Sequence, residues 1–453
     1  MPHRSAEQIG RTELGPRPLP PLGPPRNPHA PSAVDTVLDN GLRVIAVRRP
    51  AVPMVELRLE VPFGGTHRAH PACAEVLAST LLRGTPRRDR FAIDKVLAAV
   101  GGDLSAAVDP ELLSVAGSAL ASGLDVMLDV LADALTSASY AIAEVARERD
   151  RVVERIKVSR SQPRVIAREA LQRRRYGNHP FTREWPQADD VAAVTPAAVR
   201  ALHRRSVVPG GAVLVLVGDI APDRAVEAVA SLLAGWRSEH PATGLAALPE
   251  LTGGDVQLVH REGAVQSQLR LSAQAVPRHH ERYPALQLAN LIFGGYFSSR
   301  WTENIREDKG YTYGANCGFE ITRHGATLIA DADTASDVTA AALLETRYEL
   351  GRIAVMPPDE SEVDNARHYA IGALTIAASS QRGLAGQLVT LASLGLDLDW
   401  LLSHPSRLQA VTTGQVAEAA AEFLAPSRFT GVVVGDAKRL ADPLAALGGV
   451  EMP

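Results

Sequence analysis

Two distant segments of the chain read alike: TPAAVRALHRRSVVPGGAVLVLVGD (195–219) and TTGQVAEAAAEFLAPSRFTGVVVGD (412–436). Each opens on a threonine before a helical pattern, passes a proline-marked turn and closes on a buried-strand run of apolar residues. Five positions stay in register: Thr195/Thr412, Val199/Val416, Pro209/Pro426, Gly218/Gly435 and Asp219/Asp436. A second pair precedes them in the same order, VELRLEVPFGGTHRAHPACAEVLASTLLRG (55–84) and SQLRLSAQAVPRHHERYPALQLANLIFGG (267–295). Both members give a strand, a polar break and an amphipathic helix ending in glycine. Helix-turn-strand units recur by chance, but two matched pairs in one order argue for a duplication. Each half also mixes hairpin-like strands with helices such as GLDVMLDVLADAL (123–135), which predicts an α+β class. Two homologous α+β halves are expected to form a clamshell with a cleft between them.

The boundaries follow from composition. Nine of the 31 prolines fall in the first 31 residues, so residues 1–33 are expected to form an extended, solvated tail. VDTVLDNGLRVIAVRR (34–49) begins the fold, with Asn40-Gly41 as a hairpin turn. The first half is assigned to 34–236, a Gly/Pro/Thr-rich linker to 237–253 and the second half to 254–453.

The chain has 453 residues, too many for one ordinary core. A formal charge of -4 and a pI near 6.4 give no electrostatic argument for nucleic acid. The basic run Arg173-Arg174-Arg175 is expected to be a solvated helix face. Two cysteines, Cys73 and Cys317, describe no disulfide framework and suit a reducing compartment. The first residues lack the apolar core of a signal peptide, and no run reaches the length of a membrane span. A cytoplasmic protein without membrane partners is the expectation.

IREDKGYTYGANCGFE (305–320) is the stretch that carries chemistry. SSRWTENIRED reads as a short helix with Ser298 or Ser299 as N-cap, and Gly310 sits where a helix end turns left-handed. The strand that follows puts Tyr311, Tyr313 and Ala315 on alternate positions. Arg306 in the last helical turn and Tyr313 early in the strand can therefore aim at one spot, where they would stabilise an oxyanion. A carbonyl-capping arginine and a half-buried packing tyrosine would show the same spacing.

NLIFGGYFSSRWTENIREDKGYTYGA (290–315) closely resembles the second-half signature of the pitrilysin/insulinase family of zinc peptidases. The resemblance covers nearly all of 34–440, including LLRGT (81–85), ERDRVVERI (148–156), GNHPF (177–181) and both VGD strands. It implies that Arg306 and Tyr313 grip the substrate backbone, with Gly294, Gly295, Phe297, Ser298 and Ser299 as further substrate-binding positions. The family's zinc site is an inverted H-x-x-E-H motif completed by a glutamate on a later helix. Two histidines four apart share one helix face, as zinc ligation requires. Here the aligned helix reads EVLAS, so Glu75, Ala78 and Ser79 occupy the motif, and Arg155 replaces the later ligand.

Other candidates are weaker. His67 and His70 share a face only if the helix starts before Pro71, and Pro71 places its start just afterwards. His279-His280 reads as a solvated turn, Cys317 as a packing residue, and Glu148 and Glu154 as solvated charges. Some family members are built from two half-size chains, and this one resembles the kind that lacks the zinc motif. The resemblance therefore implies a heterodimeric endopeptidase with no cofactor in this chain. Zinc and an intact H-x-x-E-H would be on a homologous partner subunit, and the substrates would be extended peptides. A catalytically silent scaffold is the alternative, and a homodimer in isolation is compatible with the repeated halves.

Overall fold

The computed structural model describes residues 31–453; apart from its last three positions, the expected tail lies outside the described residues. In the first half, strands β1 (Ala33–Val37), β2 (Arg43–Arg48) and β3 (Met54–Pro62) precede helices α1 (His70–Thr80) and α2 (Arg90–Ala99). Strands β4 (Asp103–Val108) and β5 (Leu112–Leu120) follow, then helices α3 (Leu124–Ser137), α4 (Ile142–Ser161) and α5 (Pro163–Tyr176). Helices α6 (Ala188–Ala192) and α7 (Pro196–Ser206), strand β6 (Val213–Gly218) and helix α8 (Pro222–Leu232) complete it. The second half starts with β7 (Val256–His260), β8 (Gln266–Gln274), α9 (Tyr283–Asn290), α10 (Arg300–Thr302), β9 (Thr312–Ile321) and β10 (Ala326–Ala335). It ends with α11 (Thr339–Val355), α12 (Glu360–Ala377), α13 (Gln381–Ser393), α14 (Leu398–Ala410), α15 (Thr413–Phe423), β11 (Thr430–Gly435), α16 (Ala437–Ala445) and β12 (Val450–Glu451).

The two six-stranded sheets run β1-β2-β6-β3-β5-β4 and β12-β7-β11-β8-β10-β9, so the duplication is visible strand for strand. Only the outer strands differ. β1 reaches β2 by an antiparallel hairpin whose Gly41 has φ 87, a conformation that favours glycine, whereas β12 lies parallel to β7.

The unbroken apolar runs VLVLVG and TGVVVG are explained by burial on both faces. In β6, Leu214 and Leu216 face the first half's own core, while Val213, Val215 and Val217 pack against Leu384, Leu388 and Leu391 of α13. In β11, Val433 faces the second half's core, while Val432 and Val434 pack on Ala167 and Leu171 of α5. Each half thus lends one helix to the other's sheet.

This exchange corrects the reading of the arginine run as a solvated face for Arg174 and Arg175, while Arg173 is exposed as expected. The Arg175 side chain is fully buried and donates to Glu320 at 2.6 Å and to Thr327 at 3.0 Å, both in the opposite half. Arg174 forms a two-pronged pair with Glu451, and Arg168 bridges Glu184 and Glu320. Arg174 and Arg175 meet glutamates on the two edge strands of the sheet that α5 crosses, Glu451 on β12 and Glu320 on β9. The linker is also more than a spacer: Thr243 bridges Phe63, Leu245 is buried beside Tyr176 and Phe181, and the Leu248 amide donates to the His324 carbonyl. Among the described residues no single helix is long and apolar enough to cross a membrane.

Candidate functional site

Local packing builds the second-half site. A Cβ on Gly294 would lie 2.8 Å from the Trp301 ring and 3.1 Å from the Cys317 Cβ, so glycine lets α10 and β9 close together. Trp301 stacks on Phe293 with ring centroids 5.3 Å apart and donates to the Thr346 hydroxyl at 3.0 Å. Cys317 is fully buried in this packing, which raises its thiol pKa, and it is a core residue as expected.

Around this core the helix is irregular. A π-turn spans Leu291–Gly295 and another spans Glu303–Asp308, either side of an exposed Phe297-Ser298 turn. Such turns are rare and frequent at functional sites, and no propensity in the sequence announced them. Ser299 is the N-cap residue, but its hydroxyl donates to Thr302 rather than accepting from a backbone amide. Gly310 has φ 63, and its amide donates to the Arg306 carbonyl.

These elements present two side chains outward. The Arg306 guanidinium lies 4.2 Å from the Phe297 ring centroid and pairs with Glu307 at 3.1 Å. Stacking on an aromatic face restrains a long side chain without removing its donors. Tyr313 is 97% exposed at the start of edge strand β9, where the register against β10 slips between Ala332 and Thr334. That bulge corrects the simple alternation expected from Tyr311 onward: Tyr311 lies before the strand, and the kink re-aims Tyr313. Of the other predicted substrate positions, Phe297 and Ser298 are exposed. Gly294 and Ser299 are buried, and Gly295 is pressed against Leu291 and Asn290, so these three serve packing.

The aligned zinc positions do come together in the first half, but as an ion pair. Glu75 on α1 accepts from Arg155 on α4 at 2.5 Å. Burial raises the Glu75 pKa, and Arg155 opposes that shift by charge and hydrogen bond. Ser79 donates to the Glu75 carbonyl and Ala78 offers no donor atom. A permanent guanidinium cation where a carboxylate should ligate does not fit a metal ion. Glu148, read as solvated, is buried between Arg83 at 3.2 Å and Arg151 at 3.1 Å, whereas Glu154 is exposed and pairs with Lys157. His67 and His70 do separate jobs. The first accepts from the Ala69 amide, and the second begins α1, packs on Phe63 and is held below the ordinary histidine pKa by burial. Pro71 lies in the first turn of α1, as its preference for that position implied. His279 is exposed, and His280 accepts from the Arg282 amide in a turn.

A cavity of about 710 Å³ lies between α5 and the second sheet, lined among others by Arg168, Glu184, Trp185, Arg270, Phe319 and Asp331, and neither Arg306 nor Tyr313 borders it.

Comparison with known proteins accords with this geometry. A family model described as insulinase (peptidase family M16) matches residues 43–187, and one described as the peptidase M16 inactive domain matches 193–369. An uncharacterized zinc protease of Mycobacterium tuberculosis is 26% identical over 427 residues, covering 91% of this chain and 96% of that one. Another, from Mycobacterium leprae, is 26% identical over 296 residues, covering 63% of this chain and 65% of that one. Among solved structures, a peptidase M16 inactive domain from Pseudomonas fluorescens has a TM-score of 0.80 at 23% identity, covering 89% of this chain and 98% of that one. The first half of the periplasmic protease PqqL from Escherichia coli has a TM-score of 0.72 at 16% identity, covering 91% and 93%.

Proposed function

Because this chain belongs to the insulinase (M16) family of peptidases and lacks the zinc motif, we propose that it is the non-metal-binding subunit of a heterodimeric zinc endopeptidase. The observation that carries the reading is the contrast between its two sites. An ion pair occupies the aligned metal position, while Tyr313 stands exposed and Arg306 half-buried on a braced turn. A homologous subunit with an intact H-x-x-E-H would supply the zinc. Within this chain, Arg306 donates to a peptide carbonyl oxygen as negative charge develops on it, and the Tyr313 hydroxyl supplies a second donor. Phe297 stacks on the guanidinium, which also pairs with Glu307, and Phe297 and Ser298 border the substrate. The substrates are extended, unfolded peptides, since gripping a backbone requires that its amides and carbonyls be unpaired. We place the pair in the cytoplasm, where two buried thiols remain reduced.

The test is to purify this chain and a zinc-motif homologue from the same genome, and to assay peptide cleavage and zinc content separately and mixed. Turnover only in the mixture, with zinc following the homologue, is the expected result. Peptide binding by the mixture without turnover would assign the silent scaffold instead.

A further inference from the structure

The loss of the zinc ligands left something behind. Beside Glu75 and Arg155 is a second cavity, of about 340 Å³, whose walls include Ser79, Arg83, Ser105, Arg151 and Arg155. It exists because Ala78 and Ser79 are small where larger ligating side chains would project. Its charge is uneven: Arg83, Arg151 and Arg155 face Glu75 and Glu148, which leaves one formal positive charge. Arg151 and Arg155 lie one turn apart on α4 and are 66% and 57% exposed, so both have donors to spare toward a ligand. Leu104, Ser105 and Ala106 of β4 form one wall. β4 is an edge strand paired with β5 alone, and among the described residues nothing pairs its other side.

We propose that this cavity binds the C-terminal carboxylate of an extended peptide. The peptide backbone lies along β4 and ends with its carboxylate between Arg151 and Arg155. A monoanion matches the excess charge, and two forked guanidinium groups suit a planar carboxylate. Glu75 holds Arg155 in the ligand's absence. The site needs neither Arg306 nor Tyr313, so it stands whether or not those residues act in catalysis.

The test is equilibrium binding of a labelled short peptide to the purified chain, by fluorescence anisotropy. Three probes are compared: the free acid, its C-terminal amide, and the amide with a glutamate near its end. The acid should bind about tenfold more tightly than the plain amide, as expected for a charge-assisted hydrogen-bonded contact. Arg151→Gln and Arg155→Gln should each remove that preference, Glu75→Gln should strengthen acid binding several-fold, and Lys157→Gln, on the same helix outside the cavity, should change nothing. Thermal melting verifies folding, and the exposure of Arg151 makes its variant the safeguard if removing Arg155 disturbs Glu75. Equal binding of acid and amide, or acid preference surviving both arginine substitutions, would overturn the site. Equally tight binding of the glutamate-bearing amide would overturn its assignment to a peptide terminus.

Discussion

The two halves share one scaffold and have kept opposite remnants of chemistry. Counted from the helix starts at Arg90 and Arg300, Val96 and Asp103 of the first half stand where Arg306 and Tyr313 stand in the second. The first half has a regular α2, capped by Asp89 through the Ala92 amide at 2.8 Å. At the matching place the second half has a π-turn, a stacked arginine and a bulged edge strand. Conversely, the first half keeps the paired helices of a metal site with none of its donors. Ala78 still packs in the core and Ser79 bonds its own helix, so the loss of ligands cost the fold little. A duplicated scaffold can therefore shed function at one site and keep a different arrangement at the other without changing its sheets.

The strongest way to break the contrast is to give the first half its metal back. Combining Glu75→His, Ala78→Glu, Ser79→His and Arg155→Glu should bind one zinc per chain where the natural sequence binds none at these positions, read by metal analysis after dialysis. The Glu75–Arg155 contact already shows that these two positions can share one ion. A folded, zinc-free variant would mean that α1 and α4 are out of ligating register.

The second-half site is tested by Arg306→Ala and Tyr313→Phe in the reconstituted heterodimer. Each should lower kcat/KM by about a hundred- to a thousandfold, the usual effect of deleting an oxyanion donor. Zinc content should stay unchanged. Phe297→Leu should produce a smaller loss, because it removes the ring that restrains the guanidinium and not the guanidinium itself. Wild-type turnover in both donor variants would leave the second half without a catalytic role.

The exchanged helices sharpen the comparison further, since α13 is held mainly by apolar contacts and α5 by charge. Glu320→Ala would leave the buried Arg175 without its carboxylate and should cost about 3–5 kcal/mol, measured by urea unfolding. Leu388→Ala in α13 should cost about 2–5 kcal/mol by opening a cavity. Adding salt should leave the leucine difference unchanged. A marginal effect of Glu320→Ala would show that α5 docks by its Ala167 and Leu171 contacts alone.

Much of this was legible beforehand. The doubled VGD strands predicted two α+β halves, and their unbroken apolar runs were legible as buried strands. What covered the second face was not legible, because α5 and α13 travel to the other half, and periodicity describes a helix's faces without saying whose sheet they meet. The arginine run was misread for that reason: a buried cation is recognisable only beside its carboxylate, and Glu320 is 145 residues away from Arg175. EVLAS and VVERI announced lost ligands but not that Glu75 and Arg155 would pair. The π-turns left no trace, since no residue propensity distinguishes them from an ordinary helical turn.

A second seam between the halves has the opposite electrostatic character to the arginine-rich one around Glu320. Glu60 of β3, and Glu111 with Asp109 in the β4–β5 turn, face Thr322, Arg323 and His324 of the β9–β10 turn and Ser393 at the end of α13. Burial, aided by Asp109 and opposed by Thr322 and Arg323, pushes Glu111 from the ordinary 4.5 to about 7. Burial likewise pushes Glu60 to about 7, against a hydrogen bond from Ser393. His324, 3.6 Å from Glu111, is itself held below the ordinary histidine pKa by burial and by Arg323. The sign follows directly. The folded state holds these protons more tightly than the unfolded chain, so their stabilisation is complete below about pH 4.5 and is lost as pH rises through about 7. Glu111→Gln should therefore change stability little at pH 5 and raise it at pH 8 by on the order of 1–3 kcal/mol, read by urea unfolding at both values. A pH-independent shift would mean that Glu111 is ionised throughout, and the contrast between a cation-held seam and a proton-held one would fail.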